Sequence, residues 1–171
     1  MFAGFSGHMK PCLLAASALI LGCSSVEPRL DARVVVTEST IVAERLIPPA
    51  DGGAPTVRFD MPWRFENFGT ETIILHTCPS GRVEVLDGTQ WKTAWGGFQV
   101  CALVFAPITI APGETREFTL QVSAPMNGER GGWQHEEIDG VYRYRVEFGL
   151  GGPERILRDA ASNAFSLIES P

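Results

Sequence analysis

Apolar and polar residues alternate with a period of two along much of this chain, the spacing of half-buried β-strands. Phe118, Leu120 and Val122 alternate with Glu117, Thr119 and Gln121. Tyr142, Tyr144, Val146 and Phe148 alternate with Arg143, Arg145 and Glu147. Residues 33–44 are rich in Val, Ile and Thr and predict a strand. Residues 56–68 alternate in part, through Val57, Phe59, Trp63 and Phe65, but Pro62 interrupts them. Proline cannot donate to a sheet ladder, so this stretch predicts two short strands or one edge strand with a break. Further strands are expected over 71–77, 82–86, 90–92, 98–105, around Ile108 and Ile110, and over 163–168. Turns punctuate them: a Pro/Gly-rich loop at 48–55, Asn67-Phe68-Gly69-Thr70, the hairpin signal Asp87-Gly88, Gly96-Gly97, Ala111-Pro112-Gly113-Glu114, and a long Gly-rich loop at 125–140. Only residues 154–161 suggest helix, and then only a turn or two. Eight to ten short strands without a long helix predict an all-β, antiparallel sandwich.

The first segment follows a different pattern. Lys10 precedes an apolar run from Cys12 to Leu21, about ten residues, which is the length of a signal-peptide core and half of what a membrane-spanning helix needs. The run ends in Leu19-Ile20-Leu21-Gly22-Cys23. This resembles the lipobox of bacterial lipoproteins, with Leu21 bulkier than the residue usual at its position. The resemblance implies lipid on the Cys23 thiol and cleavage before it. Met1 and Met9 both remain possible starts. The expected organisation is a signal peptide over 1–22, a lipidated tether over 23–32 and one domain over 33–171. Ser24 after the lipid site implies the outer membrane if the host is diderm.

Charge and cysteine usage refine this. The chain carries 14 Lys and Arg against 20 Asp and Glu, for a net −6. Losing Lys10 with the signal leaves 13 against 20, or −7. An acidic chain without a Lys/Arg cluster argues against nucleic acid or an anionic membrane surface as partner. Of the four cysteines, Cys12 falls in the signal and Cys23 takes lipid, leaving Cys78 and Cys101. An exported chain meets an oxidising compartment, so an even remainder suggests one disulfide. Two reduced buried thiols are the alternative.

Three features together are similar to bacterial Ig-like sandwich domains. They are Phe65-Glu66-Asn67-Phe68-Gly69-Thr70, Ala111-Pro112-Gly113-Glu114-Thr115 with the alternating strand after it, and Asp139-Gly140-Val141-Tyr142-Arg143. BsuPI-like proteinase-inhibitor domains and uncharacterised Ig-like lipoproteins share this order of turns over about residues 60–168. The resemblance implies a tyrosine corner at Tyr142. Position 144 is Tyr where an antibody-type domain has Cys, so the likeness is to the architecture. A shared sandwich does not transfer inhibition.

Candidate chemistry is sparse. His76 and Cys78 share a strand face, but a nucleophilic pair needs a free thiolate. His135-Glu136-Glu137-Ile138-Asp139 offers metal-type ligands, yet consecutive loop residues rarely converge on one ion. Arg130, Trp133 and His135, in the Gly-rich loop, form the candidate partner-contact site, since loops on a rigid sandwich often bind. The alternative is a Trp133 folded back over the core. Trp63, Trp91 and Trp95 are expected in the core or at its rim. No cofactor is implied. The reading is a non-enzymatic, lipid-anchored envelope module that binds or supports another envelope component. A proteinase inhibitor is the second reading, and an envelope hydrolase or metal-binding protein the third. Oligomeric state stays open.

Overall fold

The computed structural model describes residues 32–48, 52–75, 81–96, 107–129, 131–151 and 157–171. Cys12, Cys23, His76, Cys78, Cys101 and Arg130 lie outside the described residues, as do the tether and the expected strand at 98–105.

The chain is all-β. Among the described residues there are eleven strands: β1 Ala32–Val36, β2 Thr40–Leu46, β3 Thr56–Asn67, β4 Ile73–Leu75, β5 Arg82–Asp87, β6 Gln90–Gly96, β7 Ile108–Ile110, β8 Thr115–Pro125, β9 Gly140–Leu150, β10 Leu157–Ala161 and β11 Phe165–Glu169. They form two facing layers. In one, β3 lies between β8 and the β1–β2 pair. In the other, β9 is central, with β10 and β11 along one edge and β4 and β5 along the other. β7 extends β4, and β6 extends β5. The upper half of β2 pairs with β11 and its lower half with β3, so β2 stitches the layers together.

Three expectations change. The sheet is not wholly antiparallel, because β2 and β11 run parallel. Residues 157–161, expected as a helical turn, are strand β10, held along β9 from Leu157↔Gly149 to Ala161↔Arg145. Leu157, Asp159 and Ala161 are exposed while Ala160 is buried, a period-two pattern that sheet pairing favours over a helix. Pro62 neither splits β3 nor makes it an edge. β3 is one twelve-residue strand paired with β8 from Thr56 to Glu66. The carbonyl of Pro62 accepts from the Thr37 amide at 3.1 Å, which places its missing N–H on that same edge. There β1 hands over to β2, so no ladder bond is lost.

The inward faces pack ring to ring across the layers. Trp63 meets Tyr144 at 5.1 Å, Phe65 meets Phe148 at 5.2 Å, and Phe59 meets Trp133 at 6.0 Å, all edge-on. Edge-on pairs at these spacings add to the energy of simple burial. Met61, Val57, Val83, Ile110 and Leu167 fill the space between them.

Side chains close the ends. Buried Asn67 donates Nδ2 to the carbonyls of Glu71 and Ile110, at 2.9 and 3.0 Å, and accepts from the Gly69 amide. That clamps the turn after β3 to the turn before β8, where Gly113 has φ +76. Asn163, between β10 and β11, binds both the amide and the carbonyl of Val36, at 2.9 and 3.1 Å, and so acts as a one-residue strand partner for β1. Tyr142 donates its hydroxyl to the Ile138 carbonyl at 2.8 Å, the bond expected of a tyrosine corner.

Candidate functional site

Strand directions give the sandwich two unlike ends. β1 starts at Ala32 opposite Asn67, the last residue of β3, and β2 runs the same way to Leu46 opposite Thr56. The described chain therefore begins at one end, where Ala32 lies. Residues 47–48 and 52–55, the Gly88-Thr89 hairpin tip, residues 126–129 and 131–139 and the C-terminal end of β11 lie toward the other. β3 links the ends, and twelve residues at strand rise span about 35–40 Å.

The 126–139 loop belongs to the far end, and short bonds shape it. Trp133 N–H donates to Pro125 at 2.8 Å, and Gly132 N–H to Glu129 at 3.0 Å. A Cβ on Gly132 would sit 2.6 Å from the Pro125 carbonyl oxygen, so the close return needs glycine. Met126 N–H donates to Pro55, and Gln134 N–H to Ala94, which pins the loop to both layers.

Trp133 is correspondingly buried, at 1% exposure. Its ring packs on Phe59 and Tyr142, and its Nε1 donates to the Glu137 carbonyl at 3.3 Å. This corrects the expectation of Trp133 as a contact residue: the glycines fold it onto the core instead of presenting it. His135 stays half-exposed. Its Nδ1 lies 2.9 Å from the Glu137 carbonyl, which can only accept, so Nδ1 donates there. Asp139 turns away and accepts from the Glu169 amide at 2.6 Å. Among the described residues no three His, Cys, Asp or Glu side chains gather where an ion could bind. Trp133, His135, Met126 and Arg45 line an open cleft of about 310 Å³. Arg45 is held bidentately by Glu169 at 2.8 and 2.9 Å.

The pattern along the chain did not single out the adjoining outer face. Eight large apolar side chains are exposed among the described residues, and five belong to β2, the residue after it, β9 and β11: Val42, Leu46, Ile47, Val141 and Ile168; of these Val42, Val141 and Ile168 are neighbours. Register brings them together. Val42 pairs with Ile168, and Val141 pairs with Ser166, two residues before Ile168 on the same face. Leu46 lies on the same face of β2, four residues beyond Val42. Val42 is 62% and Ile168 48% exposed. A contiguous apolar patch on a folded domain marks an interaction surface more often than scattered single residues do. The signal was present as Val42, Ile168 and Val141 in outward positions, but only the β2–β11 pairing shows them adjacent.

Beside this face lies a charged cluster. Glu84, nearly buried, takes Arg82 at 2.8 Å, Arg143 at 2.6 Å and Arg145 at 3.3 Å, and Arg145 also binds Asp159. Trp91 covers the Arg143 guanidinium at 4.4 Å. Burial pushes the Glu84 carboxyl up, but the bonds from Arg82 and Arg143 and the charges of Arg143 and Arg145 outweigh it and hold the carboxyl below the ordinary glutamate range.

No family model matches the chain, and no curated protein matches it. Among solved structures, it is similar to a Northeast Structural Genomics Consortium target at 14% identity, over 82% of this chain and 88% of that one, with a TM-score of 0.46. It is also similar to a putative ApaA protein from Bordetella pertussis at 19% identity, over 81% and 94% of the two chains, with a TM-score of 0.43. At such scores these likenesses have no bearing on function.

Proposed function

We propose that this chain is a lipid-anchored envelope module that binds another envelope protein through an outer apolar face, with Cys23 carrying the lipid. The role is non-enzymatic, and in a diderm host its place is the outer membrane. The observation that carries the reading is the apolar face of Val42, Val141 and Ile168, on the outer surface near mid-height of β3 and clear of the end where Ala32 lies. A domain held by one end and apolar clear of that end is built to meet a partner away from the membrane. The Arg45–Glu169 pair and the 126–139 loop supply a polar rim to that face, as binding surfaces commonly have.

The test is in-cell crosslinking from a photoreactive residue at position 168, with position 66, near the tether end, as control. A discrete protein adduct at 168 that Val42→Asp abolishes is the expected result. No adduct, or one insensitive to Val42→Asp, rejects the reading. Anchoring is tested separately: Cys23→Ala should move the protein from the membrane to the soluble fraction, and unchanged sedimentation rejects the lipid.

A further inference from the structure

Two of the three remaining exposed apolar side chains, Phe68 at 66% and Leu157 at 61%, lie at the tether end. Phe68 belongs to the turn after β3, and Leu157 opens β10 opposite Gly149, near the top of β9. The two flank a small cavity of about 100 Å³, whose walls include Asn67, Gly69, Thr70 and Arg158 together with Ala32, where the described chain begins. Among the described residues neither side chain is packed into the core. Phe68 sits in a turn that Asn67 closes by itself, and Leu157 faces away from the core.

We infer that this end of the sandwich rests on the lipid surface, with Phe68 and Leu157 dipping into the interface. The inference rests on the lipid anchor proposed above. Its argument is the length and origin of the tether. Nine residue steps separate Cys23 from Ala32, which is about 30 Å at full extension and less for any relaxed chain. The end where Ala32 sits therefore meets the bilayer more often than any other part of the domain. A phenyl ring and a leucine held there gain by leaving water, as Phe and Leu do on the apolar face of segments that lie in the interface. Arg33, with its side chain 66% exposed and 3.8 Å from Glu66, and Arg116, 42% exposed and paired with Glu114 at 2.8 Å, stand at the same end, where long stems can lie along an acyl boundary. The surface is gripped by apolar insertion and not by net charge, in keeping with an acidic chain. The contact would set which way the domain points: Val42 and Ile168, level with Asp60, then stand about 20–25 Å along β3 from the Ala32 end.

The experiment uses full-length, lipidated protein in phosphatidylethanolamine–phosphatidylglycerol vesicles, with p-benzoylphenylalanine in place of Phe68, of Leu157, or of Ile168 as the distal control. All three sites are exposed, so folding should survive, and circular dichroism checks it. Lipid adducts at 68 and 157 in several-fold excess over 168 are expected. Equal or lower yields at 68 and 157 overturn the inference. Failure of the anchor is read apart, in cells: if the Cys23→Ala protein sediments with membranes as the wild type does, the anchor falls and this inference with it. If it is released while the wild type stays, the adduct yields alone decide the orientation.

Discussion

At the scale of single residues, the tightest constraint is Gly81 beside Tyr144. A Cβ at Gly81 would lie 2.1 Å from the Tyr144 hydroxyl and 2.6 Å from the ring carbon bearing it. Tyr144 is 1% exposed and its ring is pinned by Trp63 at 5.1 Å, so it has little room to move away. Gly81→Ala should therefore destabilise the domain by about 1–3 kcal/mol, the cost of overpacking a filled core. Urea denaturation measures it, and a midpoint within error of wild type would mean that Tyr144 yields. Glu84 sets the pH response on the same scale. Its folded pKa is depressed, so its ionised form stabilises the fold at neutral pH, and that contribution is lost as pH falls through the folded value. Glu84→Gln should cost about 1–3 kcal/mol at pH 7 by leaving Arg143 and Arg145 short of a partner. It should also flatten the loss of stability between about pH 5 and 3. Denaturation midpoints of both proteins across that range check the sign: a Gln variant whose acid limb is as steep as wild type would assign the slope to other carboxylates.

At the scale of elements, the 126–139 loop depends on Trp133. Trp133→Ala would remove ring contacts to Phe59 and Tyr142 and the bond to Glu137. A loss of about 3–5 kcal/mol is expected, with faster tryptic cutting within the loop. The two readings of Trp133 that its glycine-flanked sequence allowed differ only in which way the ring turns. Local pattern is silent on that, because the decision lies in Phe59 and Tyr142, distant in sequence. The strands themselves were legible: β8 and β9 follow their alternation closely, and the Asn67, Gly113 and Tyr142 positions do what their residue types imply. What was hidden is whatever depends on partners. Pro62 reads as a breaker until the β1–β2 handover supplies an edge with no bond to lose. Residues 157–161 read as helix until β9 supplies a ladder. The parallel β2–β11 pair, which assembles the apolar face, leaves no trace in either strand alone.

At the scale of the whole molecule, exposed apolar groups lie in two separate places, and mutation can separate their proposed roles. Ile168 is 48% exposed while its neighbour Leu167, one residue away, is 1% exposed. Ile168→Asp removes apolar surface without opening the core, so stability should change by no more than about 0.5 kcal/mol. Leu167→Ala leaves the face intact but empties a core position and should cost about 2–5 kcal/mol. If the β2–β11–β9 face binds a partner, capture of that partner in the envelope should fall sharply for Ile168→Asp and persist for any Leu167→Ala protein that remains folded. Membrane sedimentation should be unchanged in both, because neither substitution touches Cys23 or the Phe68–Leu157 end. Thermal melts, sedimentation and crosslink yield on the same pair of variants therefore read fold, anchor and binding independently. Equal crosslink yields for wild type and Ile168→Asp would detach the apolar face from binding and leave the cleft lined by His135 and Met126 as the remaining contact surface.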